Sequence, residues 1–386
     1  MHPDSSLQIE SKLPWVGTTI FSVMSALARE HNALNLSQGF PNFDCPDELK
    51  DLVTHYMAQG YNQYAPMAGA PPLLEQLARK AHSLYGAQLD AQQEITITAG
   101  ATQALFTAIT AFVKTGDEVI LIEPAYDSYR PAVELAGGRP VIYELGLPDY
   151  QIDWDQFADL ISPRTRMIIV NSPHNPSGRV FSPADLKALQ QLIRNTNILL
   201  LSDEVYEHLT YDGQFHQSVL RYPDLYQRSL AVFSFGKTFH NTGWKLGCCI
   251  APPALTAEFR KVHQFNVFSV STPMQYALAD YLKQPDNYLQ LAGFYQQKRD
   301  AFLEVLQNSR FRPLPCQGTY FQSADYSAIS DEPDTEFAKR MTVEHGLAVI
   351  PVSVFYSSLR DEKVVRFCFA KTEDVLKKAG EILVTI

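Results

Sequence analysis

The sequence predicts an α/β protein whose large unit is a mostly parallel seven-stranded sheet covered by helices, followed by a smaller α+β unit. Three observations predict this class. From about Glu94, short apolar runs alternate with longer helical stretches, which is typical of strand–helix–strand units. Several runs are apolar on both faces, as expected for strands in the middle of a covered sheet. After about Pro273 the pattern changes to long amphipathic helices and shorter strand candidates.

The predicted strands of the large sheet are short apolar runs, each followed by a turn rich in Gly, Pro, Asn or Ser. They cover residues 94–98, 118–122, 140–144, 167–171, 198–202, 230–235 and 246–251. In open α/β sheets, ligands bind outside the carboxyl ends of the strands, because loops and helix N-termini converge there. The candidates for one shared site are therefore the segments after five of these runs, at residues 100–102, 124–126, 171–178, 203–206 and 234–237.

The rest of the chain predicts a smaller unit and a proline-rich, partly irregular N-terminal arm. The helices and strands predicted for the smaller unit are 274–283, 288–307, 319–323, 347–350 and 364–369. The expected domains are residues 1–48 as the arm with part of the small domain, 49–285 as the large domain, and 286–386 as the small C-terminal domain.

Composition favours an enzyme or binding protein for small molecules. The net charge of −10 is spread without runs of like charge, which argues against a nucleic-acid or membrane-surface partner. The five cysteines are an odd number without a Cys-x-x-Cys pair, so neither a disulfide framework nor a metal site is expected. Residues 1–14 lack a signal pattern and no apolar run approaches a bilayer span. A cytoplasmic protein is the expectation.

Lys237 is the candidate nucleophile, because it lies two residues beyond the apolar run 230–235 among small and hydroxyl residues. A lysine that is partly desolvated and close to other cations has a lowered pKa, which favours attack by the amine and imine formation. Taken alone, Lys237 is more often interpreted as a solvated loop lysine. The assignment therefore depends on its partners.

Asp203 ends the apolar run 198–202, so its carboxylate is expected to lie low in the sheet. A buried carboxylate needs a cation or several donors, and the protonated nitrogen of a pyridine ring is such a cation. A helix N-cap is an equally good interpretation. Asn175 and Tyr206 are candidates for hydrogen bonds to an oxygen on the same ring; their alternatives are an Asx-turn and a core position.

The segment Gly100-Ala101-Thr102 is the candidate phosphate site. It opens an apolar helix directly after a strand, so its N–H groups and the helix dipole suit an anion. Ser234 and Lys245 would add a hydroxyl donor and a cation. The alternative is an ordinary strand-to-helix turn, since the segment is not a dinucleotide-binding glycine motif.

Tyr126 and Arg366 complete the candidates drawn from single residues. Tyr126 follows Glu123-Pro124 and would stack on a ring, although an aromatic residue beyond a strand is often part of the core. Arg366 is a charge inside the strand pattern 364–369. Its guanidinium suits a carboxylate, which it grips with two hydrogen bonds, while an outward-facing strand residue is the alternative.

Together these segments resemble the fold-type I aminotransferases of class I/II, and most closely the branch with kynurenine, glutamine and bacterial methionine aminotransferases. The most specific stretch is residues 234–247, which is similar to the family's lysine signature. Residues 171–178, 203–206 and the Arg366 strand follow in family order, so the resemblance covers nearly the whole chain. Lys245 departs from the arginine of many members, and the kynurenine and glutamine branch often has lysine there.

The resemblance implies pyridoxal 5'-phosphate as the cofactor. Lys237 would carry it as a Schiff base and shuttle a proton, Asp203 would contact the pyridine nitrogen, and Asn175 and Tyr206 the ring oxygen. The other implied contacts are Ala101, Thr102, Ser234 and Lys245 to the phosphate, Tyr126 on the ring, and Arg366, Asn175 and Gly39 to the substrate carboxylate.

The resemblance also implies a homodimer with shared active sites. Tyr64 would reach the phosphate of the partner subunit, and Trp15 and Phe268, from different chains, would shape the pocket for the substrate side chain. The expected reaction is ping-pong transfer of the amino group of methionine or an aromatic amino acid, with glutamine and kynurenine as further donors, to a 2-oxo acid. This preference follows from the branch and from the lack of a second basic residue near Trp15.

Two other functions stay open from the sequence. One is a carbon–sulfur β-lyase on the same scaffold, which also uses pyridoxal phosphate. The other is a non-catalytic, aminotransferase-like binding or regulatory domain. Every catalytic residue type is present and no DNA-binding segment precedes the arm, which disfavours the second.

Overall fold

The computed structural model describes residues 9–386. The strands of this part of the chain are β1 (Leu34–Asn35), β2 (Ile95–Thr98), β3 (Glu118–Glu123), β4 (Arg139–Glu144), β5 (Thr165–Asn171), β6 (Leu199–Asp203), β7 (Ser229–Ser234), β8 (Gly247–Ile250), β9 (Arg312–Pro313), β10 (Phe321–Asp325), β11 (Leu347–Ala348), β12 (Ile350–Pro351) and β13 (Val364–Cys368).

The helices alternate with these strands in the first two thirds of the chain and dominate the last third. They are α1 (Ile20–Glu30), α2 (Asp47–Ala58), α3 (Pro71–Tyr85), α4 (Ala91–Glu94), α5 (Ala101–Phe112), α6 (Tyr129–Leu135), α7 (Trp154–Ala158), α8 (Pro183–Ile193), α9 (Pro223–Tyr226), α10 (Phe235–Thr238), α11 (Pro253–Asn266), α12 (Thr272–Tyr281), α13 (Asp286–Leu289), α14 (Leu291–Gln307), α15 (Asp334–Glu344) and α16 (Glu373–Leu383).

A seven-stranded sheet forms the centre of the large unit, with the strand order β2-β8-β7-β6-β5-β3-β4. Only β8 runs antiparallel to its neighbours β2 and β7, so the sheet is mostly parallel. The predicted α/β class is confirmed, and all seven predicted strands occur within two residues of their expected bounds. The edge strand β4 is the one with partly exposed side chains throughout, as expected at the margin of a covered sheet.

Helices cover both faces of this sheet because neighbouring residues of a strand point to opposite sides. In β3, Val119 and Leu121 pack in a core cluster with helices α5 and α6. Ile120 and Ile122 belong to the larger cluster on the other face, which continues into the C-terminal part of the chain. The runs that are apolar on both faces are therefore explained by two cores, one on each side of the sheet.

The C-terminal part contains a four-stranded sheet in the order β12-β13-β10-β9, whose pairs are antiparallel. Strand β1 of the N-terminal segment pairs in parallel with β11, and these two strands form a separate two-stranded sheet. Residues 1–8 of the predicted segment 1–48 lie outside the described residues. The domain boundaries stay a prediction.

Two of the predicted elements differ from the structure. The helix predicted over 288–307 is two helices, α13 and α14, separated at Gln290. The strand predicted over 347–350 is also divided, because β11 pairs with β1 whereas β12 pairs with β13. A short apolar run does not specify its partner strand, so the sequence could not show that one run serves two sheets.

The described residues include no helix that is long and apolar enough to cross a membrane. Within residues 9–386, no cluster of three or more His, Cys, Asp and Glu side chains has the arrangement of a metal site. All five cysteines are buried free thiols.

Candidate active site

A cavity of about 240 Å³ opens at the carboxyl ends of the parallel strands. All five segments that follow the predicted strands contribute to its walls. Twelve of the predicted site residues line it: Gly39, Gly100, Ala101, Thr102, Tyr126, Asn175, Asp203, Tyr206, Ser234, Lys237, Lys245 and Arg366.

Lys237 lies on the short helix α10, directly after β7. The Ser234 hydroxyl accepts the Lys237 backbone N–H at 3.3 Å and so begins this helix. The side-chain Nζ donates to the Gly39 carbonyl at 3.0 Å and to the Tyr320 hydroxyl at 2.9 Å. Burial lowers the pKa of the Lys237 amine to about 8, and nearby Arg366 contributes in the same direction. About one tenth of this amine is therefore neutral at pH 7, far more than for an ordinary lysine, and the neutral form is the nucleophile.

Asp203 is the last residue of β6 and is buried, with 3% of its surface exposed. The Tyr129 hydroxyl donates to its Oδ2 at 2.6 Å, and the Val205 N–H donates to its Oδ1 at 3.3 Å. Both donors are neutral, and burial raises the pKa of the Asp203 carboxyl to about 6. The helix N-cap interpretation is wrong, because no helix begins after Asp203 until residue 219. Asp203 is thus a buried acid that forms no salt bridge within residues 9–386, although the more distant charge of Lys237 favours its ionised form.

Arg366 points into the cavity from β13 and is 1% exposed. Its Nη1 donates to Asn175 Oδ1 at 2.6 Å and its Nη2 to the Ser37 carbonyl at 3.3 Å, while Nε has no partner in the described structure. The guanidinium carbon lies 3.9 Å from the centre of the Phe321 ring. Burial lowers the pKa of Arg366 to about 10, so the group stays charged at neutral pH. The interpretation as an outward-facing strand residue is wrong.

No carboxylate of the described residues forms an ion pair with Arg366, since its hydrogen-bond partners are an amide and a carbonyl. A buried guanidinium without a carboxylate is unfavourable unless a ligand supplies the negative charge. Because Arg366 faces the same cavity as Lys237, the arrangement suits a ligand with a carboxylate close to the amine.

The helix start after β2 forms a second polar corner of the cavity. Helix α5 begins at Ala101, and Gly100 before it has a φ of +79°, a conformation that glycine adopts readily. A Cβ atom on Gly100 would lie 3.6 Å from Lys245 Nζ, so the ammonium group is close to the helix N-terminus. Thr102 Oγ1 lies 3.2 Å from the Tyr126 hydroxyl. Free N–H groups, hydroxyls and an ammonium together suit an anion such as a phosphate.

Tyr206 and Tyr126 contribute aromatic walls. Tyr206 is buried, and its ring packs edge-on against Tyr320 with centroids 5.2 Å apart. The Lys237 Nζ lies 5.7 Å from the centre of the Tyr206 ring. Burial raises the pKa of both tyrosines, so their hydroxyls remain hydrogen-bond donors.

Three predicted residues lie outside this cavity in the single chain. Trp15 donates from Nε1 to Glu134 at 2.7 Å, and the Arg130 guanidinium lies 4.4 Å from the centre of its ring system. Tyr64 is 81% exposed and packs edge-on against Phe268, with ring centroids 5.4 Å apart. One chain does not bring these side chains to the lysine.

Sequence reasoning missed two hydroxyls that contact the central groups. Tyr129 lies one helical turn after Tyr126, and that spacing was the only available indication that both face the site. Tyr320 lies in a predicted strand, and nothing local distinguishes it from a core tyrosine. Its contact with Lys237 spans 83 residues of sequence.

Comparisons with known proteins agree on one family. The family model described as aminotransferase class I and II matches residues 31–383. A methionine aminotransferase of Escherichia coli is 54% identical, with 97% of both chains covered. Mouse kynurenine–oxoglutarate transaminase 1 is 38% identical, over 94% of this chain and 93% of the relative. The crystal structure of an E. coli protein with methionine aminotransferase function has a TM-score of 0.96 and 52% identity, covering 99% of this chain and 100% of that one.

Proposed function

The chain belongs to the class I and II aminotransferases and is a pyridoxal-phosphate-dependent enzyme, and we propose that it transfers the amino group of methionine or an aromatic amino acid to a 2-oxo acid. The observation that supports this proposal best is the cavity in which Lys237 and Arg366 face one space with aromatic walls. The non-catalytic alternative is excluded by the family, and the proteins compared above are aminotransferases or transaminases rather than lyases.

The residues present fit pyridoxal phosphate. Within residues 9–386, Asp203 is a buried acid that accepts hydrogen bonds from two neutral donors, and burial raises its pKa to about 6. A protonated pyridine nitrogen would supply the cation that stabilises a buried carboxylate. The start of helix α5 beside Lys245 suits the phosphate, with Ala101, Thr102 and Ser234 as further donors. When bound, pyridoxal phosphate supplies an electron sink for the carbanion at the substrate α-carbon.

Lys237 has two roles in the proposed reaction. Its amine would hold the cofactor covalently and would be free again when an amino acid substrate occupies the site. The free Lys237 Nζ would then take the proton from the substrate Cα and carry it for the return transfer. Burial supports both roles, because a lysine with a pKa of about 8 exchanges protons near neutral pH.

Asp203, Asn175 and Tyr206 orient the cofactor ring. The Asp203 carboxylate would contact the pyridine nitrogen and favour its protonated form. The Asn175 amide and the Tyr206 hydroxyl would hydrogen-bond the ring oxygen, and Tyr126 would stack on the ring. Asn175 is positioned for this by its backbone N–H, which donates to Asn171 Oδ1 at 2.8 Å.

Arg366 binds the substrate α-carboxylate with help from Asn175 and from the Gly39 backbone. The guanidinium is held between Asn175 and the Ser37 carbonyl, so the substrate meets a cation whose orientation is already set. Preorganisation of this kind reduces the entropy lost when the substrate is oriented for proton removal.

The rest of the cavity supports apolar or aromatic side chains. Phe21, Phe40, Leu105 and Phe321 are among its lining residues. Arg366 is the one arginine among the described residues that line the cavity. The Lys245 ammonium lies beside the start of α5, where we expect the phosphate. The side-chain carboxylate of aspartate would therefore be buried without a cation, which costs several kcal/mol.

The complete site is proposed to be shared by two subunits of a homodimer. Tyr64 is almost fully exposed although it is aromatic, which supports a role at the phosphate of the partner subunit. Phe268 lies beside it, and Trp15 would approach the side-chain pocket from the other chain.

A survey of amino donors tests the substrate proposal. Methionine and phenylalanine should exceed aspartate in kcat/KM by about 100-fold or more, because an unpaired buried charge is disfavoured. Glutamine and kynurenine are expected to serve as further donors. Higher kcat/KM for aspartate or for branched-chain amino acids would contradict the proposal.

The cofactor anchor has an independent test. The purified protein should be yellow, lose this band on reduction with borohydride, and carry the label on Lys237. The Lys237→Ala variant is the matched control, since it should take no label and show no turnover even where cofactor still binds. A wild-type label on another lysine would exclude the assignment of Lys237.

A further inference from the structure

The free end of Lys237 belongs to a closed triangle of hydrogen bonds. Its Nζ donates to the Gly39 carbonyl at 3.0 Å and to the Tyr320 hydroxyl at 2.9 Å. The Tyr320 hydroxyl in turn donates to the same Gly39 carbonyl at 2.6 Å. The three groups come from distant parts of the chain, namely the segment after β1, the segment before β10, and helix α10.

Counting donors and acceptors shows what this triangle does to the amine. The only proton of the Tyr320 hydroxyl is used on Gly39, so its oxygen acts as an acceptor toward Lys237. A neutral amine has two N–H groups and one lone pair. The Gly39 carbonyl and the Tyr320 hydroxyl accept the two N–H groups. The lone pair therefore stays free of hydrogen bonds and can face the cavity that Lys237 lines.

We propose that the Tyr320 hydroxyl and the Gly39 carbonyl form a seat for the free Lys237 amine, which holds its lone pair toward the substrate α-carbon. Tyr320 is thus a positioning residue that acts through Lys237. This inference rests on the proposed transaminase reaction and deepens it, because it names the group that orients the proton carrier between its two transfers.

The proton balance of the step leaves Tyr320 unchanged. The bond between the substrate Cα and its proton breaks, and the proton binds the Nζ lone pair, which makes the amine an ammonium. The electron pair of the broken bond stays with the substrate and the cofactor electron sink. The ammonium would keep two N–H groups on the Gly39 carbonyl and the Tyr320 hydroxyl, and its third N–H would carry the proton in the cavity until it is transferred back.

The surroundings of Tyr320 make it a fixed acceptor. The side chain is fully buried, with its ring edge-on to Tyr206 and 5.8 Å from the Tyr295 ring. Burial holds the pKa of the Tyr320 hydroxyl well above its ordinary value, so it keeps its proton and its bond to Gly39. Tyr320 therefore cannot itself be the base.

The Tyr320→Phe variant removes one oxygen atom and leaves the packing intact. Tyr295→Phe is the matched control, because Tyr295 is also buried beside Tyr320 but its hydroxyl contacts His240 Nδ1 at 3.0 Å. Melting curves and the yellow absorbance show whether both variants fold and bind the cofactor.

The first readout uses cofactor-free protein. The rate of regaining the yellow absorbance on adding pyridoxal phosphate is measured against pH, and its midpoint reports the Lys237 amine. The seat accepts hydrogen bonds from the ammonium, so Tyr320→Phe should lower this midpoint by about one pH unit relative to Tyr295→Phe. The other groups that act on this amine are unchanged in both variants: Cys368, Arg366, Asp203 and Lys245.

The second readout uses the complete enzyme. Tyr320→Phe should lower kcat about 10- to 100-fold, as expected for a lost hydrogen bond to a charged group, with KM changed less than about threefold. Deuterium at the substrate Cα should slow the variant more than the wild type, because the proton transfer becomes more rate-limiting.

Equal midpoints and equal isotope effects in Tyr320→Phe and Tyr295→Phe would overturn the inference. If the wild type transferred no amino group from any donor, the proposed function would fail by itself. The midpoint in cofactor-free protein would still decide whether Tyr320 seats the amine, since it needs no turnover.

Discussion

At the scale of single residues, the site contains charged groups that form no salt bridge within residues 9–386. Lys237 and Arg366 are buried cations, and burial lowers the pKa of each. Asp203 is a buried acid, and burial raises its pKa. Each shift disfavours the charge that a bound cofactor or substrate stabilises. The chain therefore holds these groups ready for ligands at a cost to its own stability.

The reactivity of the Lys237 amine should change at an unusually low pH. An ordinary lysine titrates near 10.5, whereas the Lys237 pKa is about 8. Only the neutral amine attacks an aldehyde, so the rate at which cofactor-free protein binds pyridoxal phosphate should rise with pH through a midpoint near 8. Absorbance measurements across this range check the prediction. A rate that keeps rising steeply above about pH 10 would contradict it.

Asp203→Asn should stabilise the cofactor-free protein while impairing the enzyme. The pKa of Asp203 is raised from 3.8 to about 6, so the folded state binds more protons than the unfolded state between these values. The contribution of Asp203 to the free energy of unfolding therefore falls as the pH rises from about 4 to about 6. Above that range the ionised carboxyl costs about 3 kcal/mol of stability. Near pH 7, unfolding by urea should show this gain for Asp203→Asn, together with a loss of kcat of about 100-fold or more.

The pH dependence distinguishes this effect from a general change in packing. The gain in unfolding free energy of Asp203→Asn should disappear near pH 4, where the wild-type carboxyl is protonated. Asp159→Asn is the control, because Asp159 is exposed at the end of α7. If Asp203→Asn were less stable than the wild type at every pH, burial of the ionised Asp203 carboxylate would not destabilise the folded state.

At the scale of elements, the proposed phosphate site at the start of α5 depends on close contact between this helix and β8. A Cβ atom on Gly247 would lie 2.6 Å from the Phe233 carbonyl oxygen and 3.0 Å from the Ala101 backbone nitrogen. A side chain at this position would therefore move the helix N-terminus relative to the sheet. Glycine is therefore required at position 247, because the backbones of β7 and of the start of α5 pass too close for a side chain.

Gly247→Ala should weaken cofactor binding and stability together. Overpacking of this kind typically costs about 1–3 kcal/mol, and we expect a similar loss of unfolding free energy with a rise of about tenfold in the Kd of pyridoxal phosphate. Gly243→Ala is the matched control, since a Cβ there would meet no atom within 4 Å. Fluorescence titration with the cofactor measures both variants. Equal Kd values would show that the contact does not set the helix position.

At the scale of the whole molecule, several aromatic side chains of the single chain are exposed to solvent and do not pack into a hydrophobic core. Tyr64 is 81% exposed and Phe268 is 43% exposed, although they pack against each other. Trp15 is 48% exposed on the side of α6. Exposed aromatic residues of this kind are common where subunits meet, which supports the proposed homodimer.

Mixed dimers test whether the active sites are shared. Lys237→Ala and Tyr64→Ala should each have low activity, but mixing and refolding them together should restore about one quarter of the wild-type turnover per chain. Random pairing makes half of the dimers mixed, and each mixed dimer has one site with both native residues. Light scattering on the wild type checks the dimer itself. A mixture no more active than the average of the two variants would exclude shared sites.

Much of this protein was predictable from contiguous residues. The seven strands, the helix beginning at Ala101 and the segments that carry Asn175, Asp203 and Lys237 are local patterns, and each occurs where it was predicted. Hydrophobic periodicity and turn residues encode such features over a few positions. Parallel strands then bring their carboxyl ends to one edge, so local patterns were sufficient to place the cavity.

Contacts between distant segments were decided only by the tertiary structure. Gly39 and Tyr320, which meet at the Lys237 amine, are 281 residues apart, and Tyr129 reaches Asp203 across 74. The division of residues 347–350 between two sheets has the same origin. A sequence pattern reports which face of an element is apolar, but not which distant side chain packs on it. The sequence therefore determined the fold class and the position of Lys237 at the carboxyl ends of the strands, and long-range packing determined which hydroxyl and which carbonyl contact its amine.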